Sequence, residues 1–421
     1  MKTVFNVYML IVLIFLPCLL LQPDIAFPAS GDGLPTALGL AISKHPSVTS
    51  KLAELKSLGY DINAAEAGRY PSLTVQGQTM SNEQTQVIAR LQQPLWAGGR
   101  IDGSINLAEM KLRSAQAALL QIRRQLMEDT AAAYAELLGG RKRFSAAELN
   151  VKEHEKLLAL ISRRQVGSFA SDADVRLARS RLVEAQTQME QMRGVVDKAL
   201  SDLLALTQEP LAGFSAVADE LLLLPDPAVI LKEAETVAPT VQQRMIDVEL
   251  ARIQVDLREA DMMPTLNAVV ERDIYQVNKY GALPSDTRIG VAVSGTVEGI
   301  GFAGFRRIKS ATALIEAAKR DVEAAKNDVR HRTSGFISDR RMYAKVTEGD
   351  NLLVTATLET LDSFMRQYDA GRKSWVDVLN AQKELSDARQ SMEQAKSSLM
   401  ELSLRLGAVT GRLDRYAGLL P

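Results

Sequence analysis

The chain has 421 residues, 24% of them charged and 5% aromatic, with a formal net charge of −1 and a single cysteine. The near-neutral balance, with basic pairs at Arg123-Arg124, Arg163-Arg164 and Arg340-Arg341 interleaved among acids, excludes a nucleic-acid surface; the pairs read as solvated helix faces. One cysteine excludes a disulfide framework, so packing alone must hold the chain.

Residues 1–29 carry one Lys, an apolar run from Val4 to Leu21 and a small, proline-rich exit. This is the pattern of a signal peptide. Pro17 and the Ala/Pro-rich exit favour cleavage over a membrane anchor, which needs about 20 apolar residues. Cys18 would leave with the leader, and Pro17 in front of it argues against lipid modification.

Residues 30–210 read as a first structural repeat. A helix is expected at 44–69, roughly 40 Å long. Two segments follow in which apolar and polar residues alternate: Leu73, Val75 and Gly77 against Thr74, Gln76 and Gln78, then Val87, Ala89 and Leu91 against Arg90 and Gln92. Period-two alternation predicts strands, at 72–80 and 85–93. The glycines of "WAGGRIDG" fit a tight strand-to-helix corner. No proline occurs between 95 and 209, and because proline is barred from helix interiors, a helical hairpin is predicted over 99–206 with its tip at 165–174. At the tip, Gly167 is expected in the left-handed region after the helix end, and Ser171 or Asp172 is expected to cap the return helix. Gly139-Gly140, in the middle of the outgoing arm, predicts a bend or a close helix crossing. The outgoing arm spans roughly 100 Å and the return arm about half of that, so the 44–69 helix is expected to stack end to end on the return arm.

After a linker at 211–231, residues 232–411 repeat the plan: a helix at 232–262, strands at 265–277 and 287–298, a hairpin at 304–410 with its tip at 369–377, and a tail at 412–421. The echo is visible residue by residue. Asp174, Ala178, Leu182, Ala185 and Met189-Glu190-Gln191 match Asp377, Ala381, Leu385, Ala388 and Met392-Glu393-Gln394 at a constant shift of 203. Upstream, "EAGRYPSL" from Glu66 matches "EADMMPTL" from Glu259. Leu379, Leu385, Met392, Leu399, Leu402 and Leu406 recur at coiled-coil spacing. In the second tip, Gly371 is the expected left-handed residue and Ser374 the cap.

Strands of this length suit a tilted transmembrane barrel. Four of them cannot close one, and unpaired edges are forbidden in lipid, so oligomerisation is implied; three copies supply twelve strands and twelve helical columns. The fold class read from the residues is therefore α with transmembrane β, a duplicated repeat of helix, two strands and long helical hairpin.

In this order and twice over, "ALGLAISKHPSV", "YPSL", "QPLWAGGRI", "VGSFASDADV", "YDAGRKSWVDVLNAQ" and "LGAVTG" resemble the TolC-type outer-membrane efflux and secretion channels. The resemblance covers essentially the whole mature chain. It implies a homotrimer in the outer membrane of a Gram-negative bacterium, with a 12-stranded β-barrel continuous with a 12-column α-helical periplasmic tunnel. It further implies, as partners, outer-membrane lipid, a periplasmic adaptor (membrane fusion protein) and an inner-membrane pump, for which an ABC transporter is the expectation. "PLWAGGRI" and "VEGIGFAGFRRI" resemble the branch that exports large surface adhesins. By resemblance, the pore gate maps to Asp377 and to Asn380, which stands where the family has a second acid. The tip latch maps to Tyr368 and Lys373 facing Asp174, with Asp172 as a second acid. Gly167, Ser168, Phe169, Gly371, Arg372 and Trp375 crowd the tips as adaptor-docking residues. Asp174 and Asp377 also fit a simpler role as first-turn acids favourable to the helix dipole, and Phe169 or Trp375 could be packed between hairpins.

Nothing in the residues points to catalysis, a metal or a cofactor: His45, His154 and His331 lie in separate elements without ligand spacing. A periplasmic adaptor or a coiled-coil scaffold are the rival readings. The former should carry a single hairpin and a separate β domain, and the latter should lack alternating strands.

Overall fold

The computed structural model describes residues 33–79, 85–278, 281–282, 284–295 and 301–419. The signal peptide expected at 1–29, and the ends of the strands expected to reach 80 and 298, lie outside the described residues.

The first repeat contains α1 (Leu34–Lys44), α2 (Pro46–Glu66), β1 (Ser72–Thr79), β2 (Thr85–Trp96), α3 (Arg100–Val166) and α4 (Asp172–Thr207). A short α5 (Asp219–Leu222) leads to the second repeat: α6 (Pro227–Val237), α7 (Pro239–Ala260), β3 (Thr265–Asn278), β4 (Gly281–Ala282), β5 (Thr287–Ser294), α8 (Phe302–Asp369) and α9 (Trp375–Val409). The helices expected at 44–69 and 232–262 are thus each preceded or divided by a break. At both breaks a proline opens the next helix while the residue before it, His45 (φ −61°, ψ 134°) or Ala238 (φ −57°, ψ 118°), is held extended.

The 67 residues of α3 and 68 of α8 make rods of roughly 100 Å. In the upper half α2, α3, α7 and α8 lie side by side in that order; in the lower half the order is α4, α3, α9 and α8. The short helices therefore share columns, α2 with α4 and α7 with α9, and the protomer is a wall one helix thick. The α3–α9 seam runs through the middle of that wall. Gly139 is the point of closest approach there, facing Ser397 of α9, and Gly140 faces Val196 of α4. Of the two outcomes expected for this glycine pair, the structure takes the close crossing; α3 runs helical through it.

Around the middle of the rods, α1, α5, α6 and the tail at 411–419 wrap the wall. They bury Leu34, Leu38, Met127, Tyr134, Leu137, Leu203, Leu404 and Leu413 in one cluster. Basic residues bind this belt. Arg124 donates to Val237 O and reaches Asp414 at 2.6 Å, with both side chains mostly buried. Arg340 donates to Ser403 Oγ (2.9 Å) and Leu222 O (3.3 Å). The buried Glu128 accepts from Arg332 (2.7 Å) and Arg405 (2.9 Å), drawing α3, α8 and α9 together. The solvated role expected for the Arg123-Arg124 and Arg340-Arg341 pairs is corrected at Arg124 and Arg340, which satisfy carbonyls and carboxylates that the wrapping buries.

The strands form one antiparallel sheet in the order β1-β2-β3-β5, with β4 paired to the far end of β3. β2 runs to Trp96, beyond the expected 93, because it pairs with β3 of the other repeat. The register aligns Leu73, Leu91, Val270 and Ile289 on one face and Thr74, Arg90, Glu271 and Arg288 on the other. On the polar face Arg90 meets Glu271 at 2.5 Å, and Arg288 reaches Asp273 at 3.4 Å. The opposite face is apolar and exposed, with Val75, Ile289, Val291 and Val293 bare and Tyr70, Trp96, Phe302 and Phe305 exposed at the strand-to-helix level. No helix among the described residues is long and apolar enough to cross a membrane.

Candidate functional site

At the far end of the wall the two hairpins turn. α3 ends with Phe169 N donating to Arg164 O (2.8 Å) and α8 with Arg372 N donating to Gln367 O (2.8 Å), the same glycine-type helix stop in both. Its left-handed residue is Gly371 (φ 69°) in the second tip, as expected, but Ser168 (φ 61°) in the first. Gly167 instead has φ −79°, which corrects its expected conformation. Its lack of a side chain makes room for Phe169, whose ring a Cβ would meet at 3.0 Å.

Both return helices open on the same reciprocal cap. Ser171 Oγ accepts from Asp174 N (3.1 Å) while the Asp174 carboxylate accepts from Ser171 N (3.1 Å) and Oγ (2.8 Å). Ser374 and Asp377 repeat this with 3.2, 3.0 and 2.8 Å. The echo between the two stretches is at this level a duplicated capping box. The Ser374 hydroxyl, and then its backbone N–H, hold the Asp377 carboxyl below the usual carboxylate range. Lys373 Nζ lies 3.9 Å away. Asp377 and Asn380 share an exposed stripe of α9, one turn apart, while Val378 and Leu379 between them are buried.

Trp375 is buried, only 3% exposed, in the cluster that joins Leu157 and Ile161 of α3 to Leu361 of α8 and Val378, Leu379 and Leu385 of α9. Its ring lies 5.2 Å from that of Tyr368. This corrects Trp375 as an adaptor-docking residue, because the first position of α9 directs the ring inward between the hairpins. Phe169 takes the opposite course at 85% exposure. With Gly167, Ser168, Gly371 and Arg372 it forms the exposed crown of the tips.

The latch expected from Tyr368 and Lys373 to Asp174 does not form within the protomer. Asp174 is committed to Ser171, Asp172 accepts from Gln165 Nε2 (2.9 Å), and Lys373 sits 4.2 Å over the Phe364 ring. The hairpins are joined by Arg164 instead, which pairs with Asp369 at 2.6 Å and stacks over Tyr368 at 4.6 Å. Arg164 and Asp369 were missed in the sequence. The basic pair at 163–164 beside the glycine turn was the available signal, but its partner lies 205 residues away.

Higher in the same seam α3 and α9 meet through polar groups. Gln382 Nε2 donates to Asn150 Oδ1 (3.2 Å) and to Glu153 (2.6 Å), and Glu153 pairs with Arg389 at 2.9 Å. Beside it His154 is buried with Nδ1 unpartnered, and burial lowers its pKa. Among the described residues, no cluster of His, Cys, Asp and Glu could hold a metal ion.

Residues 37–208 match the outer membrane efflux protein family. No curated protein matches the chain in sequence. Solved structures share the fold over nearly the whole chain. VceC, an outer membrane protein of Vibrio cholerae, is 17% identical with a TM-score of 0.74, over 90% of this chain and 96% of that one. A membrane protein of Pseudomonas aeruginosa is 14% identical with a TM-score of 0.76, over 90% of each. The open state of the Neisseria gonorrhoeae outer membrane channel MtrE is 14% identical with a TM-score of 0.66, over 90% of this chain and 88% of that one. The first repeat thus carries the sequence pattern of the outer membrane efflux proteins, and both repeats share the fold of solved outer-membrane channels.

Proposed function

We propose that three copies of the chain close a twelve-stranded barrel over a twelve-column helical tunnel, forming an exit duct that receives cargo from an inner-membrane pump through a periplasmic adaptor and opens at the hairpin tips. The observation that carries this reading is that the protomer ends in two bare edges. β1 and β5, eight residues each, are exposed along their whole length at opposite edges of the sheet. Lipid does not tolerate such edges, so β5 of one copy must pair with β1 of the next. The helical edges agree: Leu314, Met342, Leu352, Leu353 and Leu358 of α8 are exposed at one side of the wall, and Leu52, Tyr60 and Val183 of α2 and α4 at the other. The apolar sheet face then meets lipid, and the face carrying Arg90, Glu271, Asp273 and Arg288 lines the barrel.

At the tips, three Asp377 carboxylates constrict the entrance, and Asn380 halves the charge of the ring relative to a version with two acids per chain. Weak cation selectivity and weak block by multivalent cations follow. Arg164–Asp369 holds the two hairpins of each copy together in the closed state, and the crown around Phe169 receives the adaptor. The pump is read as an ABC transporter in a type I secretion system, on the resemblance of "PLWAGGRI" and "VEGIGFAGFRRI" to adhesin exporters.

Outer-membrane fractions run unboiled and boiled test the assembly: a species of about three times the monomer mass that collapses on boiling is expected, and migration as a monomer in both lanes refutes it. Copurification with tagged adaptors of ABC and proton-driven pumps tests the partner, and retention by the proton-driven set alone refutes type I secretion.

A further inference from the structure

α3 has helices on both flanks, α2 and α4 on one and α7 and α9 on the other. Among the described residues α8 packs along its length only on α7 and α9, with α6 crossing at the belt. Its bare flank carries the register of the covered flank of α3. In the tip half that register is a constant shift of 203, obeyed by the caps Ser171–Asp174 and Ser374–Asp377 and by the left-handed residues Ser168 and Gly371. On α3, the residues that meet α9 include Gly139, Arg143, Asn150 and Glu153, facing Ser397, Gln394, Gln382 and Arg389. The same shift turns the first four into Met342, Val346, Leu353 and Ala356 of α8, and each of these is exposed. It turns their partners into Gly194, Gln191, Arg179 and Gln186 of α4, and these are exposed too. The neighbouring stripe of α8, where Asp350 accepts from Ser391 (2.9 Å) and Leu361 is buried, is the one its own α9 covers.

The two uncovered faces fit by an exchange of bulk. At the internal crossing the space is on α3: Gly139 admits Ser397, and a Cβ on Gly139 would stand 3.4 Å from Ser397 Cα. At the shifted position the bulk is on α8, as Met342 at 48% exposure, and the space is on α4, where a Cβ on Gly194 meets nothing within 4 Å. A glycine inside a helix weakens that helix, so the notch at Gly194 serves a contact outside the single copy. A methionine is flexible enough to fill it. Nearer the tip, Leu353 and Ala356 stand where the internal seam has Asn150 and Glu153, so α8 offers an apolar ridge of the kind that marks a protein interface.

We infer that a second copy of this chain lays its α4 along the bare flank of α8 in the register of α9 on α3, with Met342 seated over Gly194 of that copy. The inference rests on the trimeric reading and deepens it by fixing which residues meet between copies. The contact joins unlike faces, so it repeats around a ring instead of pairing two copies off. Within a copy the seam is tied by Gln382, Glu153 and Arg389, whereas the shifted positions between copies supply no carboxylate, and packing holds them.

The test is oxidative cross-linking of the full chain in outer-membrane fractions. Gly194→Cys combined with Met342→Cys, treated with copper phenanthroline and run without reductant, is expected to give a covalent species of about three times the monomer mass that reductant returns to monomer. Because a disulfide needs Cα atoms roughly 4.4–6.8 Å apart, Gly194→Cys combined with Gly349→Cys, about 10 Å further along α8, is expected to stay uncross-linked, as is each single variant. Preferential cross-linking of the offset pair, or none from the in-register pair in protein that still runs unboiled as a trimer, overturns the register while leaving the duct intact. Wild-type protein that is monomeric throughout overturns both. The exchange of bulk decides the matter if the cysteine variants do not reach the membrane. Gly194 is exposed in the single copy, so Gly194→Leu spares the protomer's own packing; it is expected to lower the trimer fraction about tenfold, the scale of one overpacked contact, and added Met342→Ala is expected to restore it. A trimer undiminished by Gly194→Leu, or a double variant no better than the single one, overturns the inference.

Discussion

Gly139 offers a sharp test of the seam, because its neighbour Gly140 should respond with the opposite sign. A Cβ built on Gly139 would overlap Oγ and Cβ of Ser397 and sit 3.4 Å from its Cα, and Ser397 is itself buried on a packed helix. Gly139→Ala gains about 1 kcal/mol of helix propensity. Forcing a methyl into a packed crossing costs about 1–3 kcal/mol, so the net effect is a loss of up to about 2 kcal/mol. At Gly140 the nearest atoms are Val196 Cγ2 at 3.4 Å and Val195 Cγ1 at 3.5 Å, which is ordinary contact, so Gly140→Ala keeps most of the propensity gain. Thermal unfolding of the purified protein, followed by circular dichroism at one scan rate so that irreversible unfolding is compared on equal terms, should rank Gly140→Ala above wild type and Gly139→Ala below it. Adding Ser397→Gly should recover much of the loss in Gly139→Ala, a coupling that two independent sites would not show. A Gly139→Ala protein as stable as wild type would refute the close crossing of α3 and α9.

Removing the inter-hairpin tie by Arg164→Ala or Asp369→Asn should raise the open probability of reconstituted channels by a few fold, as an exposed pair of about 0.2–1 kcal/mol allows, and unchanged gating would place the latch elsewhere. Ser374→Ala deletes the hydroxyl hydrogen bond, the larger of the two that hold the Asp377 carboxyl low, at about 1 kcal/mol of helix stability, while the backbone N–H at 374 remains. Because a depressed carboxyl contributes stability above its unfolded pKa and loses it as pH falls through the folded one, the variant should lose both tip stability and cation preference at a higher pH than wild type does; coincident pH profiles would contradict this. Trp375→Ala should cost about 3–5 kcal/mol, seen as early proteolysis of the tips. Phe169→Ala should leave the proteolysis unchanged and weaken adaptor capture in pull-downs.

The long rods and their pairing were legible because helices of this length exclude proline and strands with one wet face must alternate. The duplicated box of Ser171 with Asp174 and Ser374 with Asp377 was legible because a cap is settled within four residues. Local rules did not reach the contacts that close over long separations. Arg124 to Asp414, Arg164 to Asp369 and Arg340 to Leu222 join residues more than a hundred positions apart, so the charges looked solvated. Trp375 and Phe169 are both aromatic residues beside a turn, and what buries one and exposes the other is the register of the neighbouring hairpin. The shift from Gly167 to Ser168 has a similar origin, since Phe169 claims the space a Cβ would fill.

Away from the belt at its middle, a wall one helix thick has two wet surfaces and only its lateral seams between them. Along any rod, side chains two positions apart point to opposite faces of the wall. The two faces are thus inscribed on a single strip of residues yet scarcely share a side chain. Such a lineage can change the chemistry of one face without disturbing the other, so long as the lateral seams are left untouched.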